Sequence, residues 1–190
     1  MANANANADT NADTDAQTDH TTSTTTVTVP DAAAMQDLGR GLAGLLRQGD
    51  LVLLSGELGA GKTTLTRGLG EGLGVRGAVT SPTFVIARVH PSLRGGPALV
   101  HVDAYRLGGG LDQMEDLDLD VSLADSVVVV EWGDGRVEEL SDSRLEVRIA
   151  RTLGGELPPE QDEGDDERLV TLTGLGDRWS GVDWSGLGGS

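Results

Sequence analysis

Gly56-Glu57-Leu58-Gly59-Ala60-Gly61-Lys62-Thr63 decides the fold. Two glycines bracket four residues and are followed by Lys and Thr, the pattern of a phosphate-binding loop. Each part answers a demand of a polyphosphate. Glycines let main-chain N–H groups curl around phosphate oxygens where a Cβ would obstruct them. The Lys62 ammonium brings a positive point charge to the terminal phosphates, and the Thr63 hydroxyl is offered to Mg²⁺. A helix following the loop points the positive end of its dipole at the same anion. The flanks agree. Leu51-Val52-Leu53-Leu54 reads as a short strand buried on both faces. Leu65, Leu69 and Leu73 recur every fourth residue, which is one face of a helix. Strand, glycine loop and helix together separate a site from a Gly-rich turn with an accidental Lys.

Outward from that unit, the chain alternates apolar strands with helical stretches. Thr26-Val27-Thr28-Val29 alternates like a strand, and Pro30-Asp31 opens a helix. Met35, Leu38, Leu42, Leu45 and Leu46 form its stripe, and Gly49 is expected to end it. Val79-Thr80-Ser81-Pro82-Thr83-Phe84 reads as an exposed, hydroxyl-rich turn, because Pro82 disfavours helix there. Phe84 to Val89 reads as a strand, Ala98 to Val102 as a buried strand ending in Asp103, and Val127 to Val130 as another ending in Glu131. A loop and a short acidic helix are expected over roughly Leu111 to Ser126. Arg144 to Ile149 and Leu169 to Leu172 alternate like exposed antiparallel strands. The expected fold is therefore α/β: a P-loop NTPase-like three-layer fold with a largely parallel central sheet and antiparallel edge strands. Residues 1–25, rich in Ala, Asn, Asp and Thr, have almost nothing to bury and are expected to be a disordered tail. One domain is expected over 26–175, with an acidic Pro- and Gly-containing loop at 154–167, then a flexible tail over 176–190.

Composition narrows the function. The 190 residues contain no Cys, so no disulfide framework or thiolate metal site exists. His20, His90 and His101 are scattered. No apolar run suggests a membrane span, and the N-terminus lacks the basic start and apolar core of a signal peptide, so a cytoplasmic protein is expected. The net charge is −17, yet between Arg47 and Gly110 seven basic residues face four acids. The acidity lies away from the loop. No basic surface is evident, so autonomous binding to nucleic acid is not expected.

In a parallel α/β sheet, ligands sit beyond the carboxyl ends of the strands. Three strand ends carry suitable groups: the glycine loop after Leu54, Asp103 after Val102, and Glu131 after Val130. Asp103 stands where phosphate-loop enzymes place an acid that helps hold Mg²⁺, though a turn aspartate could simply cap an N–H. His101 and Asp103 share one strand face. Glu131 follows four valines, where a lone carboxylate is strongly desolvated unless paired or metal-bound. It could orient the attacking water, complete the Mg²⁺ shell, or form a salt bridge, for example to Arg136. Trp132 could pack or could flank the nucleotide. Thr80, Ser81 and Thr83 could form a γ-phosphate switch or an ordinary Ser/Thr-Pro turn. The Asn-Lys-x-Asp device for guanine is excluded, because asparagine occurs only at positions 3, 5, 7 and 11. The run Asp116, Asp118, Asp120 is no calcium loop, since Val121 and Val127 stand where Gly and Glu are required.

These elements together resemble the TsaE (YjeE) family, small ATPases of bacterial tRNA threonylcarbamoyladenosine synthesis. The likeness rests on Gly56 to Thr64, Ser81-Pro82-Thr83-Phe84, His101-Val102-Asp103-Ala104-Tyr105-Arg106-Leu107 and Glu131-Trp132, in that order, with Asp50 and Leu38-Gly39 also matching. It covers about Val27 to Ile149. The resemblance implies ATP and Mg²⁺ as cofactors. Glu57, Leu58, Gly59, Ala60, Gly61, Lys62, Thr63 and Thr64 would bind the nucleotide, with Thr83, Asp103 and Trp132 beside it. Thr63, Asp103 and Glu131 would serve the metal, and Lys62, Asp103 and Glu131 the catalysis. Pro30-Asp31 would approach the adenine. It further implies ATP hydrolysis that resets the TsaB–TsaD pair, which transfers threonylcarbamoyl to the adenosine beside the anticodon of tRNAs reading ANN codons. Activity of the isolated chain would then be weak. The chain departs from many relatives in carrying Gly133-Asp134 where they have Pro. A small-molecule kinase, or another P-loop phosphotransferase, is the alternative; it needs an Arg-bearing lid, for which Arg88, Arg94 and Arg106 are the candidates.

Overall fold

The computed structural model describes residues 22–82, 86–106, 124–132, 141–151 and 167–187. Its elements in chain order are β1 (Thr22–Val29), α1 (Ala32–Ala43), β2 (Leu51–Gly56), α2 (Lys62–Leu73), β3 (Ala87–His90), β4 (Ala98–Asp103), β5 (Ser126–Glu131), β6 (Arg144–Arg151) and β7 (Arg168–Leu175), with two short 3-10 turns at Ala104–Arg106 and Asp177–Trp179. The strands form one seven-stranded sheet in the order β1-β7-β6-β2-β5-β4-β3. The middle pairs, β6–β2, β2–β5 and β5–β4, are parallel, and the outer pairs are antiparallel. A largely parallel centre with antiparallel margins is therefore observed.

The two faces of the sheet explain the sequence pattern. Val52, Leu54, Val127, Val129, Leu145, Val147 and Ile149 pack against α1 and α2 on one face. Leu51, Leu53, Val100, Val102, Val128 and Val130 form a separate cluster on the other. A strand buried on both faces has no polar position to offer, which is why β2 and β5 read as unbroken apolar runs. Leu65 and Leu69 of α2 are fully buried, each worth about 2 kcal/mol of hydrophobic stabilisation. The two helices approach closely through glycine. A Cβ at Gly68 would lie 2.1 Å from Gln36 O, and one at Gly39 would lie 2.3 Å from Leu65 O.

Several expectations are corrected. β6 is an inner strand, parallel to β2, and Leu145, Val147 and Ile149 are buried. Its alternation records one apolar face and says nothing of its neighbours' direction. β7 likewise buries Val170 and Leu172. β1 begins at Thr22 rather than Thr26, in full register with β7. α1 is capped by the Asp31 carboxylate, which accepts from Ala34 N at 2.7 Å, and ends at Gly44 rather than Gly49. Gly49, at φ 87°, instead shapes the turn into β2. Residues 176–187, expected as a loose tail, are docked. Trp179 is fully buried and stacks on Trp184, and Arg178 donates to both oxygens of buried Asp50 at 2.8 and 2.7 Å. The Trp184 indole N–H reaches Ser23 Oγ on β1 at 2.7 Å. Residues 1–21, most of the acidic stretch from Leu111 to Ser126, the loop at 152–166 and residues 188–190 lie outside the described residues. Among the described residues no helix is long and apolar enough to cross a membrane.

Candidate functional site

β2 delivers the chain to the carboxyl edge of the sheet, where the glycine loop turns it into α2. Gly56 (φ 145°), Gly59 (φ 78°) and Gly61 (φ 113°) all adopt backbone conformations that L side chains rarely accept. At Gly56 space is forbidden as well, since a Cβ would meet Ile149 O at 2.5 Å. The N-terminus of α2 has no side-chain cap. Its first N–H groups and the helix dipole are therefore free to meet an anion.

Two more strands bring their ends to the same place. In the parallel register Asp103 stands beside Glu131, and Glu131 beside Leu54. A cavity of about 550 Å³ opens there, lined by Gly59, Lys62, Thr63, Asp103, Glu131 and Trp132 together with Leu58, Gly61, Thr64, Ser81 and Tyr105. The structure thus brings together Leu58, Gly59, Gly61, Lys62, Thr63, Thr64, Asp103, Glu131 and Trp132 from the expected set. Ala60 is buried under the loop and lines a second cavity of about 440 Å³ on the loop's other side, with Pro30, Asp31, Met35 and Arg168. Glu57 belongs to the loop, and its carbonyl accepts from Ala60 N and from Lys62. Thr83 and Arg136 lie outside the described residues.

The polar groups are tied to one another. Lys62 Nζ donates to the carbonyls of Gly56 and Glu57 at 2.8 and 2.9 Å. The Trp132 ring centroid lies 3.7 Å from that ammonium, within cation–π range. Burial pulls the Lys62 pKa below its ordinary value, and the negative charges of Glu131 and Asp103 oppose that shift. The Thr63 hydroxyl donates to Glu131 Oε1 at 3.1 Å, and His101 Nε2 is 2.8 Å from the same oxygen. Asp103 accepts the Tyr105 N–H at 3.1 Å through Oδ1. Its capping role is real, and its place in the cavity wall is real as well. Trp132 has φ 62°, a strained choice for an aromatic residue, and its ring tilts against Tyr105 at 5.9 Å.

Two contributors were not assigned from sequence. His101 was placed on the correct face, but its bond to Glu131 depends on interstrand register. Tyr105, exposed at the rim, meets Trp132 only once the turn after β4 is formed. Arg88, a candidate for a lid, donates instead to Thr80 Oγ1 on the hydroxyl-rich turn, and the cavity wall contains no arginine among the described residues.

The residues suit a magnesium-bound polyphosphate. A loop with no Cβ at Gly56, Gly59 and Gly61, a helix N-terminus without a side-chain cap and an ammonium suit the phosphates. A hydroxyl and two carboxylates are hard oxygen donors of the kind Mg²⁺ takes alongside phosphate oxygens. Among the described residues no group of three or more His, Cys, Asp or Glu could hold a metal alone.

The fold and site define a class: mixed α/β proteins in which a glycine loop joins a central parallel strand to a helix. Residues 29–156 match the family described as "Threonylcarbamoyl adenosine biosynthesis protein TsaE". The chain is 72% identical over 155 residues to the tRNA threonylcarbamoyladenosine biosynthesis protein TsaE of Streptomyces coelicolor, covering 82% of this chain and 100% of the relative. Its counterpart in Bacillus subtilis is 40% identical over 138 residues, covering 72% of this chain and 77% of the relative. Among solved structures, that of Bacillus subtilis YdiB superposes with a TM-score of 0.63 at 30% identity, covering 84% of this chain and 91% of that one. The chain belongs to the TsaE family, and its role lies in tRNA threonylcarbamoyladenosine biosynthesis.

Proposed function

We propose that the protein is a Mg²⁺-dependent ATPase whose turnover supports threonylcarbamoyl transfer to tRNA, acting on the TsaB–TsaD pair in the cytoplasm. One observation carries the reading: Lys62, Thr63, Asp103 and Glu131 converge on one cavity beside the glycine loop, at the carboxyl ends of β2, β4 and β5. The base would enter the second cavity, beside Pro30 and Asp31.

In this reading the loop amides and the α2 N-terminus bind the phosphate chain. Lys62 leaves the Gly56 and Glu57 carbonyls and turns its ammonium to the terminal phosphates. Charge-assisted bonds to phosphate are stronger than those to a neutral carbonyl. Thr63, Asp103 and Glu131 would hold Mg²⁺, which when bound neutralises charge on the β- and γ-phosphates. Glu131 would also accept a hydrogen bond from the attacking water. Trp132 and Tyr105 wall the open side of the cavity.

Calorimetry with ATP and Mg²⁺ tests the reading, alongside phosphate release with and without TsaB–TsaD. Wild-type protein should bind, and the partners should raise turnover. Lys62→Ala removes a buried charge-assisted contact, so affinity or turnover should fall by about 2–4 kcal/mol. Unchanged binding and turnover in that variant would remove the loop from the mechanism.

A further inference from the structure

His101 is fully buried on β4, and the function proposed above gives it no task. Its Nε2 lies 2.8 Å from Glu131 Oε1, the same oxygen that accepts the Thr63 hydroxyl. Glu131 Oε2 takes no hydrogen bond among the described residues. His101 Nδ1 is buried without a hydrogen-bond partner among the described residues. When Glu131 is ionised it can only accept, so this contact then uses the Nε2–H tautomer, with Nδ1 the bare nitrogen. The register explains the reach. His101 is opposite Val129 and Asp103 is opposite Glu131, so His101 meets Glu131 diagonally across adjacent strands.

We propose that His101 is a positioning residue for Glu131. Its Nε2–H and the Thr63 hydroxyl hold Oε1 from two sides, so Oε2 is the oxygen presented to the cavity. The inference rests on the reading of Glu131 as the working carboxylate of an ATPase. Thr63 can offer its oxygen lone pairs to a cation while its hydrogen stays on Glu131. His101 lies behind the cavity wall and holds the carboxylate whatever the ligand does. A Phe would fill similar space without leaving a buried nitrogen unpaired. The histidine bears that cost for the sake of one hydrogen bond.

The test compares His101→Phe, which keeps a ring and loses the donor, with His101→Gln, whose amide N–H can restore it. His101→Phe should lower kcat by about 10–100-fold with little change in the Kd for ATP measured without Mg²⁺, the scale of losing an orienting partner. His101→Gln should recover most of that loss. Equal loss in both variants, or a fall in Mg²⁺-free ATP affinity that matches the fall in kcat, would overturn the proposal. A second measurement needs neither turnover nor a variant of His101. Nitrogen-15 NMR of the wild-type chain should find the ring protonated at Nε2, with that signal displaced in Glu131→Gln. A ring protonated at Nδ1 alone, or an undisplaced signal, overturns the pinning even if the variants fail to fold. Absence of ATP hydrolysis by wild-type protein with its partners would instead sink the proposed function, while the NMR result still decides the contact.

Discussion

Replacing Asp50 with Ala should destabilise the protein severely, although Asp50 lies outside the cavity wall. Asp50 is 3% exposed and sits in the turn that launches β2. Its carboxylate accepts from Arg178 Nε and Nη2 at 2.8 and 2.7 Å and from Arg47 N at 2.8 Å. Removing it leaves a guanidinium, 15% exposed, and a backbone N–H without their acceptor. Breaking a buried ion pair from one side costs about 3–5 kcal/mol. Arg178 keeps its 2.6 Å bond to Leu45 O and some contact with water, so the lower end, about 3 kcal/mol, applies. That is a large share of a typical stability of about 5–15 kcal/mol. Urea unfolding followed by tryptophan fluorescence measures it, in a Trp132→Phe background so that Trp179 and Trp184 report. Arg178 lies 4.4 Å from the Trp179 ring, so the same change should alter the folded-state emission. A cycle with Arg178→Ala should show strong coupling, the double variant losing much less than the two single losses combined. A loss below about 1 kcal/mol, or simple additivity, would refute the claim that this pair anchors the C-terminal segment.

Two further outcomes follow from the geometry. Gly68→Ala gains about 1 kcal/mol of helix propensity, yet its Cβ would lie 2.1 Å from Gln36 O, so the helices must part. The net result should be a loss of about 2 kcal/mol and a fall in Tm of about 4–8 °C, and an unchanged or raised Tm would contradict the close helix contact. Burial holds the His90 pKa below its ordinary 6.5, with His101 and Arg88 adding to the shift and the Arg76 backbone opposing it. The unfolded chain therefore takes up the proton first, so stability should decline as pH falls below 6.5, until the folded pKa is passed. The urea midpoint of His90→Gln should fall less steeply than wild type over that window; parallel curves would count against it.

The centre of the molecule was legible for a physical reason. Leu51 to Leu54 of β2 and Val127 to Val130 of β5 are unbroken apolar runs because both their faces are buried, and the glycine loop between β2 and α2 has one architecture. Asp103 and Glu131 could be placed at strand ends because parallel sheets put their ligands there. The margins were less legible. In β6, the alternation of Leu145, Val147 and Ile149 with Arg144, Glu146 and Arg148 reports a polar face, and that face occurs equally in an inner strand. The C-terminal segment was misread because Arg178 is held by Asp50 and Leu45, and Trp184 by Ser23, partners far away in sequence. A polar, glycine-rich composition carries no trace of such distant anchors. His101 shows the same limit on a smaller scale. Period two gave its face, but only the pairing of β4 with β5 reveals which carboxylate it touches.

The hook from Trp184 to Ser23 has a consequence for topology. It brings the segment that closes the described fold against the strand that opens it. A short linker could join these two regions, with new ends cut between β6 and β7, leaving every strand pair intact. Such a circular permutant should keep the glycine loop in place, because that loop is held from the middle of the sheet rather than from its extremities.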